Sequence, residues 1–300
     1  MLRRQFLPLV ALAPVLSGAK RVLDYEVWDV FSDTPLLGNQ LAVFFNAEGL
    51  DVPTMLAIAR EMNYSESTFI SGTKTRIFLK TEEIPFAGHP VLGTAFALWN
   101  RGGKKANRIT LDCKIGPVPV DFENGVGMMT QPEPIFAEKH DHAAIAPLLG
   151  TSVDQLDTSV PIQNVSTGRP NLLVMFKSLA GLRQVKYDWP AIDRYMASGD
   201  KQRAFYLLTR ETVDKSRQFN ARKILRVGED PVTGSAAGCA IAWMVGHGLV
   251  ESGQAVRIEQ GTEIQRTGEA IVSAEKKTGK VTNVKVGGKS VLVMQGKFAF

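Results

Sequence analysis

Residues His89-Pro90-Val91-Leu92-Gly93-Thr94-Ala95 return, 141 positions later, as Asp230-Pro231-Val232-Thr233-Gly234-Ser235-Ala236. Each copy runs into a stretch of small and apolar residues, Phe96 to Trp99 after the first and Ala237 to Val245 after the second, and the helices read over Pro90–Asn100 and Ala236–Val245. Helices with so little polar surface must be wrapped on all sides by other structure. This pairing limits the fold more than any other feature. A spacing of nearly half the chain argues for a doubled domain and against a solenoid, whose repeats are shorter. A Gly-Thr or Gly-Ser step that opens a helix presents free main-chain N–H groups at the positive end of the helix dipole. Two such ends face to face would hold one small anion, which makes Gly93, Thr94, Gly234, Ser235 and Ala236 candidate substrate-binding residues.

The rest of the chain supplies strands. Tyr25–Phe31, Leu41–Phe45, Ser67–Ser71, Thr75–Lys80, Ile109–Leu111, Val118–Phe122 and Val126–Thr130 are short, alternating or β-branched runs. Asp51-Val52-Pro53 caps a helix whose stripe is Met55, Ile58, Ala59 and Met62 and which ends near Asn63. Gln131-Pro132-Glu133-Pro134 breaks the pattern. Beyond it come helices at Ala143–Leu149 and Trp189–Ala197, and strands at Leu172–Phe176, Ala204–Leu208, Ala221–Val227, Val256–Gln260, Ile271–Ala274, Lys280–Val286 and Ser290–Met294. Strands are too many and helices too few for a regularly alternating layered fold. We therefore expect a mixed α/β (α+β) architecture of two pseudo-symmetric halves, each a mixed β-barrel around one apolar helix. The first half spans 20–130 and is completed by the last strand near 288–300; the second spans 131–287.

Composition narrows the function. The net charge of +5 falls to +3 without Arg3 and Arg4, a mild bias that suits an anionic substrate and does not argue for nucleic acid. Two cysteines, Cys113 and Cys239, exclude a disulfide framework, and four scattered histidines give no metal motif; His140-Asp141-His142 has unsuitable spacing for zinc. No Gly-x-Gly-x-x-Gly follows a strand, so a dinucleotide cofactor is not expected. Residues 1–19 have a basic start with paired arginines, an apolar run from Phe6 to Leu16 and small residues at Ser17-Gly18-Ala19. This is the layout of a twin-arginine-like export signal, too short to span a bilayer, and it favours a periplasmic over a cytoplasmic location. A homodimer is left open.

Longer blocks carry a resemblance. Asp29-Val30-Phe31-Ser32-Asp33 with Gly38-Asn39, Asn63-Tyr64-Ser65-Glu66-Ser67-Thr68-Phe69, Pro85-Phe86-Ala87-Gly88-His89-Pro90, Glu229-Asp230-Pro231-Val232-Thr233-Gly234-Ser235-Ala236 and Gln260-Gly261 together resemble the phenazine-biosynthesis-like isomerase (PhzF) family. The resemblance implies a diaminopimelate epimerase-like fold with the active site in the cleft between the halves. It implies that Glu66 is the proton-shuttling base, with His89 and Asp230 as its catalytic partners and Gly88 among the substrate-binding residues, and that neither cofactor nor metal takes part. Two features depart from the family: a short connection from Ala221-Arg222-Lys223 to Asp230, and Arg266-Thr267-Gly268 where Gly-Arg-Pro-Ser is expected. The expected function is a cofactor-independent isomerase that moves a proton on a small carboxylate. His89 would donate to a carbonyl or hydroxyl of that substrate. The alternatives are a binding protein that keeps the anion clasp without turnover, and a two-thiol racemase or epimerase, which would need cysteines where Gly88-His89 and Thr233-Gly234 stand.

Overall fold

The structure is a computed structural model that describes residues 21–197 and 204–300. The expected export segment lies outside the described residues. Among those described, no helix is long and apolar enough to cross a membrane.

The chain opens with β1 (Val22–Val30) and β2 (Asn39–Phe44), followed by α1 (Val52–Met62). The Asp51 side chain accepts from Thr54 N at its start, and Asn63 closes it in the left-handed conformation, as its cap residues direct. Then come β3 (Ser67–Ser71), β4 (Lys74–Phe78), β5 (Glu83–Ile84), α2 (Gly88–Arg101), β6 (Arg108–Cys113), β7 (Gly116–Glu123) and β8 (Val126–Thr130). A second run comprises β9 (Ile135–His140), α3 (His142–Ile145), β10 (Ile162–Ser166), β11 (Pro170–Phe176), α4 (Leu179–Arg183), α5 (Trp189–Ala197), β12 (Ala204–Thr209), β13 (Phe219–Arg222), the two-stranded hairpin β14 (Ile224–Leu225) and β15 (Gly228–Glu229), and α6 (Gly234–Gly246). It ends with β16 (Val256–Gln260), β17 (Gly268–Lys277), β18 (Lys280–Gly288) and β19 (Ser290–Ala299).

The two runs pair alike. From β1 through β2, β3, β4, β6, β7 to β8 the neighbours are antiparallel, parallel, antiparallel, parallel, antiparallel and antiparallel. The same order of senses recurs from β10 through β11, β12, β13, β16, β17 to β18. The final strand β19 crosses back to pair antiparallel with β1, from Val22↔Ala299 to Val30↔Ser290. β9 fills the corresponding place beside β10, and β8 and β18 join the runs antiparallel. The result is a sheet-dominated mixed α/β fold.

Both apolar helices are enclosed. In α2 every residue from Gly88 to Ala97 is buried. In α6 only Ser235 and Gly246 escape full burial. Their core includes Leu92, Phe96, Ile241 and Trp243 packed with Val30, Leu41, Val272 and Val286. Burial of each such side chain stabilises the fold by about 1.5–3 kcal/mol relative to leaving it in water.

One expectation is corrected here. The helix read over Pro90–Asn100 spans Gly88–Arg101 with Ala87 as its cap, so the Gly93-Thr94 step does not open it. Pro90 falls in its first turn, where the missing N–H costs nothing. The second helix does begin at Gly234-Ser235. The two heptads therefore occupy different places, and the fold matches Ala87-Gly88-His89 with Thr233-Gly234-Ser235. Gly93 and Thr94 lie inside α2 and serve packing. A Cβ on Gly93 would stand 2.6 Å from Leu41 Cδ2, and Thr94 Oγ1 shares a 2.8 Å hydrogen bond with Thr68 Oγ1. Ala236 is fully buried in the first turn of α6.

Candidate active site

The first turns of α2 and α6 abut. A Cβ on Gly88 would lie 3.3 Å from Ser235 N, and one on Gly234 would lie 3.8 Å from Gly88 Cα. Glycine at both positions permits this approach of two helix starts, each with main-chain N–H groups that no earlier turn engages.

Beside this junction stand Glu66 and His89. The turn that ends α1 at Asn63 delivers Glu66 immediately before β3, and His89 is the second residue of α2. Glu66 Oε2 and His89 Nε2 are 3.6 Å apart. Both atoms are shut off from solvent, and neither has a hydrogen-bond partner. At that separation they do not bond to each other. Burial pushes the Glu66 carboxyl above its ordinary value, against weaker opposing pulls from the Ser65 hydroxyl and the Arg169 charge. Burial also drives His89 down to about 4, against the attraction of Asp230 and a hydrogen bond to the Gln40 main chain. The imidazole is therefore neutral at pH 7.

Asp230 belongs to the same group of charges. Burial raises its carboxyl; His89, the Thr233 hydroxyl and Lys223 lower it, and Glu66 adds to the rise. Asn39 Nδ2 donates to Asp230 Oδ1 at 2.8 Å and to Val232 O at 2.9 Å, and Thr233 Oγ1 donates to Oδ2. Gln260 Nε2 donates to Asp230 O at 2.7 Å, and Gln260 Oε1 accepts from Thr233 N and from the Tyr206 hydroxyl. Gly261 follows with φ +83°, and a Cβ there would meet Pro231 O at 2.7 Å. The Gln-Gly pair thus carries the loop that holds Asp230.

The remaining blocks hold this arrangement in place. Arg266 Nη2 donates to Asp29 Oδ1 at 2.6 Å and to Leu37 O, while Arg266 Nε donates to Gly38 O. This clamp fixes the loop between β1 and β2 that presents Asn39. Gln131 Nε2 donates to Gly234 O, and Thr167 Oγ1 donates to Gln131 Oε1 at 2.6 Å. Asn39, Gln131 and Thr167 were not among the expected site residues. Asn39 stands in the Gly38-Asn39 block, whereas Gln131 and Thr167 carry no sequence signal beyond their polarity.

Neither cysteine stands at a helix start: Cys113 ends β6, and Cys239 lies in the second turn of α6, where burial raises its thiol. Among the described residues no three His, Cys, Asp or Glu side chains are grouped so as to hold a metal ion.

Comparison with known proteins places the chain in a family. The family model for phenazine biosynthesis-like proteins (PhzC-PhzF) matches residues 28–296. The trans-2,3-dihydro-3-hydroxyanthranilate isomerase of Pseudomonas fluorescens is 35% identical over 285 residues, covering 91% of this chain and 98% of that protein. The solved PhzF-family protein of Bacillus anthracis superposes with a TM-score of 0.82 at 26% identity, over 93% of this chain and 99% of that one. A hydroxyproline epimerase of Agrobacterium vitis shares the fold at a TM-score of 0.59 and 11% identity, over 93% of both chains. The chain accordingly belongs to the phenazine biosynthesis-like (PhzF) family and is an isomerase.

Proposed function

We propose that the protein isomerises a small carboxylate-bearing substrate by moving one proton, without a cofactor, and that Glu66 carries it. The supporting observation is the pair of facing, buried and unpartnered atoms, Glu66 Oε2 and His89 Nε2. Leaving such groups unsatisfied costs stability, and a substrate atom between them would satisfy both. The ionised Glu66 takes a proton from substrate carbon, the electron pair moves into the adjoining π system, and the protonated carboxyl returns the proton at another carbon. A desolvated carboxyl with a raised pKa is suited to both steps. His89 donates to the Gln40 main chain through its other ring nitrogen. The neutral ring then offers Nε2 as an acceptor for a substrate O–H or N–H, the reverse of the donor role expected from sequence. Asp230, held by Asn39 and Thr233, orients a second polar group. The main-chain N–H groups at Gly88 and at Gly234-Ser235 hold anionic charge.

Trans-2,3-dihydro-3-hydroxyanthranilate, named for the Pseudomonas relative, is a substrate of this class and the first to test. The shared order of strand pairing supports the reading of a doubled half. The two-thiol reading loses ground, since Gly88-His89 and Gly234-Ser235 occupy the helix starts.

The test is incubation in heavy water with that compound and a panel of cyclic and α-substituted carboxylic acids. Solvent deuterium on substrate carbon is expected, falling by about 10³-fold in Glu66→Gln, within the range for general acid–base groups. Undiminished exchange in Glu66→Gln contradicts the assignment. Ligand binding without any exchange in the wild-type protein supports a binding protein instead.

A further inference from the structure

Lys223, at the start of the short connection to Asp230, lies inside the molecule. β13 is buried throughout. Phe219 and Ala221 belong to the main hydrophobic core, while Arg222 turns to Glu229 at 2.7 Å and to Leu182 O. By the two-residue period of an extended chain, Lys223 follows Phe219 and Ala221 inward. It is only 6% exposed. Its Nζ donates to Asn171 Oδ1. Asn171 is itself buried and held by its donations to Arg169 O and Cys239 Sγ. Lys223 O accepts from Asp230 N at 2.9 Å, which ties the lysine to the site loop. Among the described residues, no carboxylate oxygen forms an ion pair with Lys223 Nζ. The oxygens of Asp230 are engaged by Asn39 and Thr233.

A buried ammonium without a counter-ion is costly, and proteins normally pair such groups. One side-chain acceptor serves three N–H donors. The Lys223 main chain bonds the Asp230 loop, and Asn171, which accepts from Nζ, bonds Cys239 in the second turn of α6, so this ammonium, which makes no direct ion pair, borders the elements that carry the candidate site. We propose that Lys223 is a substrate-binding residue that supplies the counter-charge for a substrate carboxylate, making this cleft selective for acids over their neutral analogues. The proposal rests on the reading of the cleft as a substrate site and adds the place of the anionic group. Burial pulls the ammonium down to about 8. Asp230 in the site loop and Cys239 on α6 oppose that fall, and Arg169 on the hairpin between β10 and β11 adds to it.

The probes are cyclohex-1-ene-1-carboxylate and cyclohex-1-ene-1-carboxamide, which match in shape and differ in charge. Their dissociation constants are measured by calorimetry in a Glu66→Gln background, so that turnover plays no part. At pH 7 the acid should bind more tightly than the amide. Lys223→Met, of similar volume, should weaken the acid by about thirtyfold and the amide by threefold or less, as for loss of a charge-assisted hydrogen bond. In the unsubstituted lysine protein, the preference for acid should decline as pH rises past about 8, a readout that needs no change at position 223. Equal loss for acid and amide, no loss for either, or an acid bound no better than the amide at pH 7 overturns the proposal. If Glu66→Gln still catalyses exchange, the proton-carrier assignment falls and the acid-to-amide ratio still decides Lys223.

Discussion

At the scale of single residues, the site is built from side chains whose burial works against their usual ionisation. His89 is the clearest case. Its pKa near 4 lies below the ordinary 6.5, so the folded protein binds fewer protons than the unfolded chain between these values. Its contribution to stability is therefore present above pH 6.5 and is lost as pH falls toward 4. The carboxyls of Glu66 and Asp230 are raised and act in the opposite sense, since the folded state then holds more protons as pH falls. A difference measurement separates the two effects. Urea unfolding of wild type and His89→Gln at pH 7 and pH 4 should show the wild type losing about 3 kcal/mol more than the variant, from roughly 1.4 kcal/mol per pKa unit. Parallel losses would mean that the ring is not held neutral. These residues were legible to different degrees. Glu66, His89, Asp230 and Asn39 stood in recognisable blocks, but the role of Asn39 became visible only in its reach to a residue 191 positions away. Lys223 looked like one of three basic residues in a strand until its neighbours showed which way it turned.

At the scale of elements, local signals were read well and long-range ones poorly. The α1 boundaries follow from Asp51 and Asn63, whose capping chemistry acts within a turn. β9 and β10 were missed because their pairing, and not their composition, makes them strands; β9 is mostly exposed. The repeated heptad misled for a related reason. Gly93 and Gly234 look equivalent in sequence, but Gly234 opens a helix and Gly93 lets α2 pack against Leu41 and Val30. That difference gives a prediction. Gly93→Ala should destabilise the protein by about 1–3 kcal/mol through overpacking, seen as a lower urea midpoint, with affinity for substrate in the surviving folded protein little changed. A stability-neutral Gly93→Ala that abolished binding would restore Gly93 to the site.

At the scale of the whole molecule, the two runs of strands matter because neither holds all residues of the proposed site. Glu66 and His89 come from the first run, Asp230 and Ser235 from the second, and Arg169 of the second run acts on the Glu66 carboxyl. β19 pairing with β1 and β8 with β18 lock the runs together. Glu66 Oε2 is shut off from water, and that burial raises its proton affinity. The account therefore stands or falls on the state of one carboxyl in the ligand-free protein. Carbon-13 NMR titration of side-chain-labelled glutamate, with Glu66→Gln identifying the resonance, measures it directly. The account predicts a midpoint above 4.5, the ordinary glutamate value; a midpoint at or below 4.5 would contradict it.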